Sequence, residues 1–288
     1  MLEIIEDTLM DAVKLLPFLF ITYLIMEYIE HKMGEKSKNM IRKSGKAGPI
    51  IGSILGIFPQ CGFSVSATNL YAGRVITLGT LIAVYLSTSD EMLPIFISEA
   101  VSPIIILKIL GIKLIIGIIA GIIIDLVMQL FTSKNKLEKE ENEIEHICEE
   151  EHCHCNEKGI IKSAIFHTLN ILVFIILITF VINIVVHFIG EEVIASWILN
   201  KPVMGPMISS LIGLIPNCAA SVIKTNLYLE NVISLGSMIA GLLTGAGVGL
   251  AILFKTNKDI KENVKILGLL YLIGVISGII IELIGITL

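Results

Sequence analysis

The chain has 288 residues, 55% of them hydrophobic and 16% charged, with a formal net charge of −5 and a mean hydropathy of +0.87. Soluble domains carry about 25% charged residues. A water-soluble globule is therefore excluded, and no nucleic-acid partner is expected. Charge in such a chain is read loop by loop instead.

The N-terminal "MLEIIED" is acidic and lacks the basic start and small-residue cleavage site of a signal peptide, so the first apolar run reads as a permanent helix. Runs such as "LLPFLFITYLIMEYI", "LKILGIKLIIGIIAGIIIDLVMQLF" and "LNILVFIILITFVINIVVHFIG" approach or reach the roughly 20 residues that cross a bilayer. After the first comes a basic loop with Lys32, Lys36, Lys38, Arg42, Lys43 and Lys46, then "GIFPQCGFSVSATNLY" from Gly56, which sets Gln60, Cys61, Ser64, Thr68 and Asn69 inside an apolar stretch. Pro59 removes one helical hydrogen bond and disfavours helix at Phe58, predicting a break there. Next is "LSTSDEMLP", where Ser87, Thr88, Asp90 and Glu91 separate two apolar runs. Acids inside a span are functional hypotheses by default; the alternative is an interfacial turn that caps the helix from Met92.

Much of this recurs 157 positions later. "GIFPQCGFSVSATNLYAGRVITLGTLIA" matches "GLIPNCAASVIKTNLYLENVISLGSMIA", pairing Pro59 with Pro216, Cys61 with Cys218, Ser64 with Ser221, Asn69 with Asn226 and Gly79 with Gly236. Further on, Gly117, Gly121 and Asp125 pair with Gly274, Gly278 and Glu282. The chain divides into a first repeat, 1–131, a polar linker, 132–158, and a second repeat, 159–288. Equivalent loops carry opposite charge. The basic 31–46 loop corresponds to "FIGEEVIASWILNK", and the basic "FKTNKDIKENVK" to the acidic "ISEAVSPIIILK". By the positive-inside rule the repeats are inverted, with both termini external and the linker cytoplasmic. The expected fold is all-α: a polytopic helical membrane protein of about ten transmembrane helices in two inverted-topology repeats. Its helices are broken at proline, or turn as re-entrant hairpins, near the midplane, as in secondary transporters.

Gln60, Cys61, Asn217 and Cys218 offer amide oxygens and sulfurs that suit a borderline or soft metal, or a metalloid. With Ser64, Asn69, Ser87, Thr88, Asp90, Glu91, Ser221 and Asn226 they form the expected substrate site; a cysteine can also pack as a small hydrophobe and an amide can glue helices. Gly247 stands where the first repeat has Asp90, so the charge belongs to one site. Gly245, Gly247 and Gly249 read as tight helix contacts more than as a break. The Gly-x-x-x-Gly pairs are packing signals, and Asp125 and Glu282 are candidates for ion coupling. Lys224, opposite Ala67 in the repeat, lies in the pathway or snorkels. The linker sets His146, Cys148, His152, Cys153, His154 and Cys155 among glutamates, ligand types that suit a soft or borderline metal.

The paired "FPQCGFS" and "IPNCAAS", with "LSTSDE", "AGLLTGAGVGL" and the His/Cys-rich centre, resemble the ten-helix heavy-metal exporter family, whose members are labelled arsenic efflux proteins or manganese transporters. The resemblance spans nearly the whole chain and implies an inner-membrane exporter of a metal ion or metalloid. No Walker A sequence is present, so export would couple to a proton or sodium gradient. No resident cofactor is required; a metal ion is expected as substrate or at the central loop. The lipid bilayer is the other expected partner. Export of a small organic solute is the alternative, and a membrane metalloenzyme or metal sensor built on the central loop is a further one. No His-Glu-x-x-His helix supports catalysis, and the protein is not expected to be an enzyme.

Overall fold

The structure of the protein, a computed structural model, describes residues 47–58, 61–89, 92–131, 203–216 and 219–285, with single helical positions between 13 and 24 and between 161 and 184. Ten helices follow one another among the described residues: α1 (Gly48–Gly56), α2 (Cys61–Ala72), α3 (Leu78–Ser87), α4 (Met92–Ser98), α5 (Pro103–Phe131), α6 (Met204–Gly213), α7 (Ala219–Leu229), α8 (Leu235–Thr244), α9 (Val248–Thr256) and α10 (Ile260–Ile284). The protein is an all-α, multi-span membrane protein.

Local sequence explains most helix limits. Pro49 sits in the first turn of α1, where its missing N–H costs nothing. α1 stops at Gly56, ahead of Pro59, and α6 stops at Gly213, ahead of Pro216. Thr77 caps α3 by accepting from Thr80 N at 3.1 Å, and Ser234 caps α8 by accepting from Ser237 N at 3.2 Å. Asp259 caps α10, which ends on Gly285 at φ 69, a left-handed position natural to glycine.

The two halves use one packing scheme. α1 packs on α3 and α5, and α3 on α5; in the same way α6 packs on α8 and α10, and α8 on α10. The small-residue contacts repeat as well. A side chain on Gly121 would run into Gly79, Pro49 and Ala83; one on Gly278 would run into Gly236, Pro206 and Ala240. Each of these positions differs from its counterpart by 157, so the Gly-x-x-x-Gly signals are helix contacts in both halves.

Among the described residues, four apolar stretches are long enough to cross a membrane: Leu78–Ser98, Pro103–Leu130, Leu235–Thr256 and Ile260–Ile284. The first and third are 75% and 83% buried, the second and fourth only 22% and 28%, so α3–α4 and α8–α9 form the centre and α5 and α10 the apolar outside. α1 and α2, of 9 and 12 residues, are each too short to cross. At about 1.5 Å per residue they rise roughly 14 and 18 Å against a core of about 30 Å. The halves interlock because α9 packs on α2 and α4 on α7, so the distal part of each central stretch docks on the opposite half.

Candidate functional site

Both central stretches are interrupted. α3 ends at Thr88, where the backbone turns extended at φ −53, ψ 128, and helix resumes at Met92. α8 ends at Gly245, and Gly247, at φ 55, ψ −143, takes a conformation open only to glycine before α9 begins. Ten helical residues rise about 15 Å, half of a hydrocarbon core of about 30 Å, so both interruptions fall at mid-depth. The sequence led to a break at Pro59 and to tight contact at the glycines. A break without proline exists in each half, and only Gly249 of the three glycines is chiefly a close contact.

Hydroxyls seal the first break. Thr88 Oγ1 donates to Val84 O at 2.8 Å, Ser89 Oγ to Ser87 O at 3.0 Å, and Ser87 Oγ to Ala83 O. Such back-bonding competes with helix continuation. In the second half Thr244, the counterpart of Ser87, holds Ser210 O of α6 at 2.8 Å.

Two lysines reach these ends, each fully buried. Lys113, from α5, donates through Nζ to Thr88 O at the end of α3 and to Leu242 O of α8, the latter at 3.4 Å. Lys224, from α7, donates to Gly241 O at 2.8 Å. Gly241 makes room for it: a Cβ there would overlap the Lys224 stem and the Ser209 hydroxyl. Burying an ammonium in an apolar interior is expensive, so these two charges are placed features. Sequence reasoning left Lys224 undecided and missed Lys113. The signal for Lys113 was a lone ionisable residue within "LGIKLIIG".

The helices that begin at the two Pro-x-Cys motifs both lead to the α8–α9 break. Ser64, in the first turn of α2, is buried against Gly249, where a Cβ would stand 3.0 Å from its Oγ. Ser221, in the first turn of α7, is beside Gly245, 3.4 Å from the Cβ that residue would carry. One turn along α2, Thr68 Oγ1 lies 3.1 Å from Gly249 O and 2.5 Å from the Tyr85 hydroxyl, which is itself 3.2 Å from Gly249 O. Asn69 is 1% exposed, yet neither its Oδ1 nor its Nδ2 has a hydrogen-bond partner. Its counterpart Asn226 lies exposed.

Gln60, Asp90, Glu91, Asn217, Cys218 and the side chain of Cys61 lie outside the described residues, as do His146, Cys148, His152, Cys153, His154 and Cys155. Among the described residues no group of three or more His, Cys, Asp or Glu could hold a metal ion. Asp125 accepts from Thr77 Oγ1 at 2.7 Å and Gly79 N at 2.8 Å, closing the start of α3, and the Glu282 carboxylate lies against Gly236 at the start of α8. Both stand a half-helix from the breaks.

Two apolar stretches interrupted at mid-depth, each docked on the opposite half, define a multi-span membrane protein built around discontinuous helices. The chain matches the family described as "Putative, 10TM heavy-metal exporter" over residues 1–192 and 168–287, and it belongs to that family. No curated protein and no solved structure matches it.

Proposed function

We propose that the protein is a secondary-active transporter that exports a heavy-metal ion or metalloid, of the manganese or arsenic class, by alternating access between two inverted repeats. The observation that carries this reading is the approach of the first turns of α2 and α7 to the two sides of the interruption between α8 and α9, Ser64 at Gly249 and Ser221 at Gly245. Discontinuous helices at mid-depth are where secondary transporters place substrate and coupling ions, because the unpaired backbone groups there replace water. The convergence supports one shared site for the Pro59-Gln60-Cys61 and Pro216-Asn217-Cys218 segments, with Asp90 and Glu91 contributing charge. The reversed loop charges support inversion, a cytoplasmic membrane with both termini outside, and a linker inside whose histidines and cysteines collect metal. The absence of a Walker A sequence supports a gradient as the energy source.

The test is uptake into everted membrane vesicles from a panel including Mn2+ and arsenite, with and without an imposed pH gradient. Gradient-dependent accumulation of one of them is expected, and no accumulation of any metal or metalloid sinks the reading. Cys61→Ser combined with Cys218→Ser separates the classes: arsenite movement is lost if the thiols bind it, and undiminished arsenite movement removes them from the site.

A further inference from the structure

An exchanger built on interrupted helices needs a place for its coupling ion. That place is the C-terminal pole of a half-helix, where unpaired carbonyls and the negative end of the helix dipole attract a cation. Here covalently tethered cations reach the ends of both half-helices. Lys113 Nζ takes Thr88 O at the end of α3, and the two lysines take the adjacent carbonyls of Leu242 and Gly241 near the end of α8. A sodium ion at these carbonyls would have to displace an ammonium group that cannot leave.

We propose that the coupling ion is a proton, carried on Nζ of Lys224, while Lys113 remains a fixed cation joining the end of α3 to α8. The assignment rests on the export reading and names its ion. Among the described residues, Lys113 is held by carbonyls of two helices and Lys224 by a carbonyl of one. The two ammonium groups hold adjacent carbonyls of α8, where like charges repel, and discharging one relieves that repulsion. α8, α4 and α6 pack against α7 and bring no charged side chain in their described residues; the charge facing Lys224 is Lys113 on α5. Asp90 and Glu91 lie outside the described residues. The Ser209 hydroxyl, fully buried and without a hydrogen-bond partner, lies beside Gly241 where the lysine stem passes, leaving an unused donor and acceptor at the site. Neither lysine is repeated. At the 157-residue spacing Lys113 meets Leu270 and Lys224 meets Ala67, so there is one centre for two halves. The step is a proton transfer: on the outer side hydronium gives a proton to the neutral amine and leaves water, and on the inner side one N–H bond breaks, its electron pair stays on nitrogen, and the proton passes to water as hydronium.

The full-length protein in proteoliposomes on a solid-supported membrane tests this without substrate. Successive steps of about two pH units, taken from about pH 5 up to the ordinary lysine range near 10.4, should displace charge in the wild type at one point of the series. Lys224→Met should abolish that transient, Lys113→Met should move the pH at which it appears without removing it, and a sodium jump at constant pH should give none. Lys224→Gln, which keeps a donor for Gly241 O but cannot titrate, replaces Lys224→Met should the latter fail to elute as a single species. An unchanged transient in either Lys224 variant, or a saturable sodium transient in the wild type, overturns the assignment. Mn2+ and arsenite movement in the same liposomes separates the two readings. A Lys224-dependent transient with neither probe moving upholds the proton site and counts only against export of those probes. Probe movement with a Lys224-independent transient overturns the proton site alone.

Discussion

At Gly249 side chains of one half of the molecule touch the backbone of the other, as Lys113 does at Leu242 O. The Gly249 carbonyl faces Thr68 and Tyr85, and a Cβ on that residue would stand 3.0 Å from both Cβ and Oγ of Ser64, close enough that the neighbour must yield. Gly249→Val should therefore destabilise the protein by about 1–3 kcal/mol, the cost of overfilling a packed contact. Gly268→Ala is the control. Nothing lies within 4 Å of a Cβ there, and a mid-helix alanine should gain roughly 0.5–1 kcal/mol. Thermal unfolding in detergent reads both, and equal shifts for the two would refute the contact. Residues of this kind were half legible. The Gly-x-x-x-Gly spacing revealed the glycines of α5 and α10, because periodicity alone marks a helix face. Lys113 stayed hidden since its partners, Thr88 O and Leu242 O, are backbone atoms of distant helices with no sequence signature.

At the scale of the element, the two breaks are made by different chemistry. In α3 the hydroxyls of Ser87 and Thr88 turn back onto their own helix, while after α8 the chain turns on Gly247 at φ 55. Gly247→Ala should cost about 1–3 kcal/mol, because an L side chain is strained at that backbone conformation. Gly245→Ala, at φ −77 with its Cβ 3.4 Å from the nearest atoms, should cost much less. A difference between their unfolding midpoints in that order is expected; the reverse order would mean that Gly247 is not the hinge. Asp125→Asn tests the other end of α3. It leaves Gly79 N an acceptor but weakens a charge-assisted bond, for a loss of about 1 kcal/mol. The proline stops were visible because one residue dictates them. The mid-depth breaks were legible only as alternatives, a turn ahead of Met92 and a break at the glycines, since serine, threonine and glycine also occur inside membrane helices and only the tertiary setting decides.

Across the whole molecule, the 157-residue repeat was the most legible feature and its departures from symmetry the least. Tyr71 and Tyr228 are counterparts with different tasks. Tyr228 packs on Phe96, ring centroids 6.4 Å apart, joining α7 to α4. Tyr71 donates to Glu262 Oε1 at 2.5 Å, and Arg74 grips the same carboxylate with contacts of 3.1 and 3.3 Å, while Asn257 donates to its other oxygen at 2.9 Å. The halves are thus joined by an ionic latch in one place and by an aromatic contact in the equivalent one. On the proposed export reading, alternation between two states requires release of the latch, and its strength biases them. Arg74 and Glu262 side chains are 23% and 25% exposed, so the pair contributes about 1 kcal/mol, near the upper end for partly exposed ion pairs. Removing that much should raise the latch-open state about fivefold. Glu262→Gln, combined with Ala246→Cys at the fully buried break, should accordingly speed maleimide labelling at position 246 by about that factor over Ala246→Cys alone. Raised salt should speed labelling of the Ala246→Cys protein in the same way and leave the one that also carries Glu262→Gln nearly unchanged. Labelling rates that are equal in the two proteins would mean that this ion pair ties the halves together without gating the centre.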